Sequence, residues 1–124
     1  FVQHEDLQRG LDSLLLHECD YAFAVTSYAF PIQRAVHLLE NGRVQMFDHR
    51  YEATRSQDLV EAYHDAGQFY WGTATAWLEA RPIFGDGAVP IILPRYRVQD
   101  IDTPEDWLRA EWLFKAIQME TQAK

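Results

Sequence analysis

Cysteine and lysine are both scarce in this chain, and each scarcity has a consequence. Cys19 is the only cysteine among the 124 residues, so no disulfide can form within the chain, which fits a reducing cytoplasm. Lys115 and Lys124 are the only lysines, and nine arginines supply the rest of the basic charge. Because arginine presents a planar fork that suits carboxylates and phosphates, this composition indicates small anionic ligands.

Long apolar runs and a basic surface are also missing. The apolar runs span only a few residues, and residues 1–10 are polar and do not resemble a signal peptide, so the sequence predicts no membrane span and no secretory leader. The formal net charge is −8, from 19 acidic and 11 basic residues. This balance disfavours nucleic acid and anionic membranes as partners, and we expect neither.

Neither of the common glycine-rich phosphate loops, G-x-G-x-x-G and G-x-x-x-x-G-K-S/T, occurs in these residues. The chain as a whole is apolar enough to fold, because 48% of its residues are hydrophobic and 14% are aromatic. The chain opens on Phe1 and passes directly into a predicted helix with no preceding strand. We therefore expect a piece of a longer polypeptide, and interpret residues 1–124 as a single partial domain.

Helix and strand signals alternate along the chain, which predicts a mixed α/β fold. Leu7, Leu11, Leu14 and Leu15 share one apolar helical face, and Asn41-Gly42 between two β-prone runs is a strong hairpin signal. The predicted elements are a helix over 4–18, strands over 21–28, 34–39, 43–47, 67–72, 89–93 and 96–101, and helices over 73–80 and 103–119. Residues 48–66 are predicted to be irregular.

Asp100 and Asp102 are the most informative polar pair. On an extended segment residues i and i+2 point the same way, so both carboxylates would meet at the C-terminal end of a strand, where ligands bind in open α/β sheets. Such a pair suits Mg²⁺. The alternative is an ordinary helix start, with Thr103 as N-cap, Pro104 at the first position and Asp106 at the third. That alternative accounts fully for Thr103, Pro104 and Asp106, but less well for Asp100.

Three separated segments carry a family resemblance. They are DIDTPEDW at 100–107, followed by Ala110-Glu111, TRSQDL at 54–59 and DAGQFYW at 65–71. In this order they resemble the C-terminal motifs of the CMP-sialic acid synthetase family, most of all the branch that activates pseudaminic acid. The resemblance covers nearly the whole chain, and three matches in order are more specific than one.

The resemblance implies the C-terminal half of a nucleotidyltransferase-type α/β sandwich with a mixed sheet and a protruding β-hairpin dimerisation arm over 34–60. It implies a reaction in which CTP and a nine-carbon 2-keto sugar acid, a nonulosonic acid, give a CMP-sugar and pyrophosphate, in a homodimer. The family's basic loop for the CTP phosphates has no match here. The chain alone is therefore expected to be inactive.

The resemblance also assigns residues. Asp100 and Asp102 match the catalytic pair that binds Mg²⁺. Possible substrate contacts are Arg55 for the sugar carboxylate, Gln57 and Gln68 for sugar substituents, Phe69, Tyr70 and Phe84 beside the sugar pocket, and Arg34 reaching the partner's site. Each has a simpler interpretation: a solvated arginine, a surface glutamine or a core aromatic ring. Alternation along a strand would place Phe69 and Tyr70 on opposite faces.

Two further function classes compete with the enzyme half. One is a catalytically inactive dimerisation or interaction module of the same family, which the missing phosphate loop favours. The other is a metal-dependent phosphohydrolase built on Asp100 and Asp102, which lacks further acidic or histidine ligands at suitable spacing. Cytidylyl transfer that depends on both aspartates would separate the first class from the other two.

Overall fold

The computed structural model describes the backbone of residues 1–122 and the side chains of residues 1–120. The helices and strands are α1 (His4–His17), β1 (Tyr21–Ser27), β2 (Val36–Leu38), β3 (Val44–Met46), β4 (Tyr63–Gly72), α2 (Ala74–Leu78), β5 (Ala88–Ile92) and α3 (Pro104–Gln122). They form two compact units, one of residues 1–26 with 65 onward and one of Ser27–His64. The predicted mixed α/β class is confirmed, and no helix in the described part is long and apolar enough to cross a membrane.

The first unit is built on a three-stranded sheet in the order β4-β1-β5. Strands β1 and β5 are parallel, with Ala24 opposite Ile91. Residues 21–26 of β1 are all buried, so both faces of this central strand are covered, as is usual for a parallel pair. The buried cluster consists of Ala24, Ala66, Ile91 and Leu93, with Phe69 and Val98 packed against it.

Helix α1 lies very close to strand β4. A Cβ on Gly10 would come within 2.6 Å of Trp71 Cδ1 and 2.8 Å of Phe69 Cε2, so only glycine fits at this contact. The indole Nε1 of Trp71 donates to the carbonyl oxygen of Leu7 at 2.9 Å, which fixes the ring against the helix. The predicted helix is confirmed, but its predicted apolar face is wrong at Leu15, which is 67% exposed.

Strand β4 begins earlier than its sequence suggests. It spans Tyr63–Gly72, whereas only 67–72 was expected to be extended. The reason is Gly67, whose φ of +62° is a left-handed value inside the strand. An interruption of this kind breaks the period-2 alternation by which a strand is recognised, so residues 63–66 read as irregular.

The second unit contains the predicted hairpin. Strands β2 and β3 pair antiparallel, with Val36 opposite Met46 and Leu38 opposite Val44. Gly42 has a φ of +78°, and Asn41 Oδ1 accepts from the Arg43 amide at 3.0 Å. Both features are typical of a turn that needs Asn-Gly, and the hairpin is confirmed. Short 3₁₀ turns follow at His49–Tyr51 and Ser56–Asp58.

Candidate active site

The loop that carries Asp100 and Asp102 is not the strand end that the sequence predicted. After β5 the chain forms a 3₁₀ turn at Arg95–Arg97 and then runs without regular structure to α3. Pro94 precedes this turn with a φ of −61° and a ψ of 138°, and the Arg97 amide donates back to the Pro94 carbonyl oxygen at 3.0 Å. The prediction of a strand over 96–101 is therefore wrong.

The loop is anchored by Arg97, which sequence analysis missed. The Arg97 guanidinium is buried and donates to the Asp6 carboxylate of α1 through Nη1 at 2.7 Å and Nη2 at 3.2 Å. The carbonyl oxygen of Arg97 accepts from Gln68 Nε2 at 2.7 Å. The residue three positions before Asp100 is thus tied both to α1 and to β4. Asp6 lies on the same helical face as Gly10 and Leu14, because four residues separate each from the next. A charged residue on this buried face was the sequence signal that a partner such as Arg97 was needed.

The helix start after the loop is built as the sequence predicted. Thr103 Oγ1 accepts from the Asp106 amide at 3.2 Å, and Asp106 Oδ2 accepts from the Thr103 amide at 2.9 Å and from the Thr103 hydroxyl at 2.7 Å. Hydrogen bonds from Thr103 lower the pKa of Asp106. This reciprocal capping box occupies the Asp106 carboxylate and leaves the other two aspartates to be explained.

Asp100 and Asp102 are both exposed. Asp100 Oδ1 accepts from the amide of Ile101 at 3.1 Å, a bond that leaves the second carboxylate oxygen for other ligands. The donors that the two residues offer are all oxygen, which is the chemistry that Mg²⁺ prefers. Among the described residues no group of three or more His, Cys, Asp or Glu side chains could hold a metal. Water and substrate oxygens would have to complete a Mg²⁺ shell here, as is usual for Mg²⁺ at phosphate sites.

An aromatic layer lies on one face of β1 in the same unit. The rings of Phe23 and Tyr70 stack at 5.8 Å with an interplanar angle of 17°, and Phe84 meets Phe23 edge-on at 5.5 Å. Phe23 is buried, whereas Tyr70 is 38% exposed and Phe84 is 72% exposed. Tyr70 and Phe84 thus share one buried neighbour and both reach the surface, a geometry suited to an apolar wall.

Tyr70 also makes a polar contact within β4. Its hydroxyl donates to Oδ2 of Asp65. Burial, this hydrogen bond and the negative charges of Asp65 and Asp100 raise the pKa of Tyr70 to about 12. Asp65 lies inside the matched DAGQFYW segment, but the sequence analysis gave it no role. In a regular strand, side chains five residues apart, such as Asp65 and Tyr70, point to opposite faces, so their contact could not be predicted.

Phe69 and Gln68 face other neighbours. Phe69 packs against the core cluster and against Gly10 of α1, so it lies in the interior contact between helix and sheet. Gln68 is half-buried; its Nε2 binds the Arg97 carbonyl oxygen, and its Oε1 is buried with no hydrogen-bond partner in the described part of the chain. An acceptor left in this state is a candidate for a ligand or water contact.

The remaining predicted site residues belong to the second unit. Arg55 pairs with Asp58 through Nε at 2.8 Å and Nη2 at 3.3 Å, and Gln57 is exposed on the same 3₁₀ turn. Arg34 Nη1 lies 3.5 Å from Ser56 Oγ. Arg34 and Ser56 also line a largely apolar groove of about 560 Å³, whose other lining residues are Tyr28, Phe30, Pro31, Ile32, Ala35 and Val36.

Comparison with known proteins decides what this chain is related to. It is 45% identical over 109 residues to the pseudaminic acid cytidylyltransferases of two Campylobacter jejuni strains, 81-176 and NCTC 11168. The chain is homologous to part of the pseudaminic acid cytidylyltransferases. A third relative, from Helicobacter pylori 26695, combines this enzyme's name with that of a hydrolase for UDP-2,4-diacetamido-2,4,6-trideoxy-beta-L-altropyranose and is 38% identical over 101 residues.

The extent of the match is as informative as the identity. The alignment takes in 88% of this chain but 47% of each Campylobacter cytidylyltransferase, and 81% of the chain against 19% of the Helicobacter protein. The chain thus spans about half the length of the Campylobacter enzymes, consistent with the predicted C-terminal portion. No protein-family model matches it.

Proposed function

We propose that this chain is the sugar-acid half of an enzyme that transfers a cytidylyl group from CTP to pseudaminic acid. The observation that carries the proposal is the 45% identity to pseudaminic acid cytidylyltransferases over 88% of the chain. The exposed Asp100 and Asp102 and the Tyr70–Phe84 wall in the same unit support it. The CTP phosphates would be held by residues outside this chain.

In the proposed reaction the anomeric hydroxyl oxygen of the sugar acid forms a bond to the α-phosphorus of CTP. The bond from that phosphorus to the bridging oxygen breaks, and pyrophosphate leaves. The hydroxyl proton passes to Asp100, directly or through a water molecule. Asp100 suits this role because its carboxylate is exposed on a loop that Arg97 anchors.

Asp100 and Asp102 would hold Mg²⁺ as the cofactor. The ion would supply neutralisation of the charge that develops on the phosphate oxygens. The two residues fit this role because their side chains offer only oxygen donors. The capping box uses the Asp106 carboxylate and does not occupy the carboxylates of Asp100 and Asp102.

The remaining polar and aromatic residues would bind the sugar acid. Arg55 would bind the carboxylate with its fork; the support is that the same fork pairs with the Asp58 carboxylate through Nε and Nη2. Gln57 and the unpaired Oε1 of Gln68 would meet polar substituents. Tyr70 and Phe84 would pack on apolar groups of the sugar, and Phe69 would support that wall from the interior.

The proposed enzyme is a homodimer with the nucleotidyltransferase-type fold. Residues 34–60 form its dimerisation arm, and Arg34 reaches the partner's site. The support is that this segment lies within the separate compact unit Ser27–His64, and that the unit exposes large apolar side chains. We place the enzyme in the cytoplasm because the single cysteine of this chain is free, which fits a reducing compartment.

An alternative is that the chain is a catalytically inactive dimerisation or interaction module of the same family. The specific observation in its favour is that neither of the common glycine-rich phosphate loops occurs in this chain. The same aspartates would then serve no catalytic purpose.

The test measures pyrophosphate release from CTP with Mg²⁺ and each nine-carbon sugar acid in turn. It compares this chain with the polypeptide as its gene encodes it. We expect activity with pseudaminic acid in the encoded polypeptide and none in the 124-residue chain. Asp100→Asn and Asp102→Asn should each lower kcat by at least about 100-fold, since metal charge stabilisation contributes several kcal/mol.

Asp12→Asn is the matched control, because Asp12 is an exposed carboxylate on α1 that accepts from Gln8 Nε2 at 2.9 Å. It should retain full activity. Pyrophosphate release by the short chain would contradict the assignment of the CTP site to residues outside it. No release by the encoded polypeptide, with the fold intact, would favour the interaction module.

A further inference from the structure

Tyr70 is held from two directions in the first unit. Its ring stacks on Phe23, which is 8% exposed and belongs to the central strand β1. Its hydroxyl donates to Asp65 Oδ2. The ring plane and the torsion of the hydroxyl are therefore both determined by neighbours, and the phenol oxygen has a defined position at the surface.

Asp65 is itself fixed by the interruption in β4. Its Oδ1 accepts from the Gly67 amide at 2.8 Å, and Gly67 itself has the left-handed φ of +62°. A Cβ at Gly67 would meet no atom within 4 Å, so glycine is present here for its backbone conformation and not for space. An interruption of a strand by a left-handed glycine re-aims the side chains beside it.

We infer that Asp65 is a positioning residue that fixes the Tyr70 phenol oxygen as a hydrogen-bond acceptor, so that this part of the site selects a donor group, an amide N–H or a hydroxyl, on the sugar acid. The inference rests on the proposed function. It adds Asp65 as the residue that decides whether the Tyr70 hydroxyl accepts or donates a hydrogen bond to the sugar acid. A carboxylate only accepts hydrogen bonds, so the phenol O–H points to Asp65 and the lone pairs of the phenol oxygen remain for the ligand.

The surroundings of Tyr70 support this polarity. Because the pKa of Tyr70 is raised to about 12, the phenol keeps its proton at every pH at which such an enzyme works. Asp100 is among the charges that raise it, so the phenol lies near the aspartate loop. A donor bound to Tyr70 would therefore belong to the sugar acid that reacts at that loop.

Asp65→Asn is the discriminating substitution. The side-chain amide of asparagine has nearly the same shape, but it can donate to the phenol oxygen, so the Tyr70 hydroxyl could turn and donate to the ligand instead. Tyr70→Phe removes the acceptor altogether. In the encoded polypeptide we expect each variant to raise the KM for pseudaminic acid about 10-fold, which corresponds to one lost hydrogen bond, and to leave the KM for CTP unchanged.

The matched controls are Asp12→Asn and Tyr96→Phe, two exposed residues outside the proposed site. Neither KM should change in these controls. A purely structural role for Asp65 would lower thermal stability and affect both substrates alike, so a rise in both KM values overturns the inference. An unchanged KM for pseudaminic acid in Asp65→Asn also overturns it.

A second readout needs no activity. Ultraviolet difference titration of the chain against its Tyr70→Phe variant reports the phenol pKa of Tyr70. In Asp65→Asn this pKa should fall from about 12 towards the ordinary value of about 10, and no fall would overturn the proposed Asp65–Tyr70 contact. If the contact is found but the unsubstituted encoded polypeptide does not use pseudaminic acid, the proposed function fails and the positioning role with it.

Discussion

The ion pair between Asp6 and Arg97 joins residues that are 91 positions apart. The two side chains are 4% and 9% exposed, and the guanidinium meets the carboxylate through two nitrogens. Arg9 shares the same carboxylate at 3.0 Å from the surface side. Because this pair fixes the start of the loop that carries Asp100, it connects the stability of the fold to the geometry of the candidate site.

Asp6→Ala should lower the free energy of unfolding by about 3–5 kcal/mol, because it leaves the Arg97 guanidinium buried without its counter-charge. Urea unfolding followed by tryptophan fluorescence measures the change. Asp12→Ala, on the exposed side of the same helix, should change stability by no more than about 0.5 kcal/mol. Equal effects of the two substitutions would show that the buried pair has no special role.

Among the elements, α1 shows how packing can oppose intrinsic preference. Glycine is a poor residue for a helix interior, yet Gly10 lies in the middle of His4–His17. It is tolerated because the rings of Phe69 and Trp71 occupy the space that a side chain would need. The helix therefore approaches the sheet as closely as its backbone allows.

Gly10→Ala tests this contact. Helix propensity alone would stabilise the protein by about 1 kcal/mol, but the new methyl group must displace a ring whose indole nitrogen is bound to Leu7, and overpacking of this kind costs about 1–3 kcal/mol. We expect a lower thermal midpoint, measured by circular dichroism. Ser13→Ala, at another half-buried position of the helix, should be neutral or stabilising; a higher midpoint for Gly10→Ala would contradict the close packing.

For the whole molecule, exposed apolar side chains are the dominant feature. In the second unit Leu38 is 79% and Val44 is 63% exposed, and these two residues face each other across the hairpin. In the first unit, helix α3 exposes Trp107 and Trp112 by 60% and 59%. Large apolar side chains exposed in this way make both surfaces candidates for contact with further protein.

We expect the chain to self-associate through the hairpin, as the proposed dimerisation arm requires. Leu38→Glu combined with Val44→Glu should shift a dimer towards monomer in sedimentation velocity at micromolar concentration, because two charges would then have to be buried. Gln45→Glu adds charge at the neighbouring exposed position that pairs with His37, and it should leave the dimer intact. A monomer at all concentrations would count against the arm.

The sequence by itself determined the elements whose signals are local. The hairpin follows from Asn41-Gly42, the start of α3 from Thr103 and Asp106, and the relationship to the cytidylyltransferases from three short segments. The hairpin and the helix start each depend on residues within a few positions of one another, so turn chemistry and capping are sufficient to predict them.

Only the tertiary structure decided the contacts between distant residues. It placed Arg97 on Asp6, interrupted β4 at Gly67 and thereby brought Asp65 to Tyr70, and it replaced the expected strand before Asp100 with a 3₁₀ turn. The physical reason is the same in each case. Burial of a charge, a left-handed glycine or an irregular loop is favourable only when neighbours from other parts of the chain satisfy it, and local sequence carries no record of those neighbours.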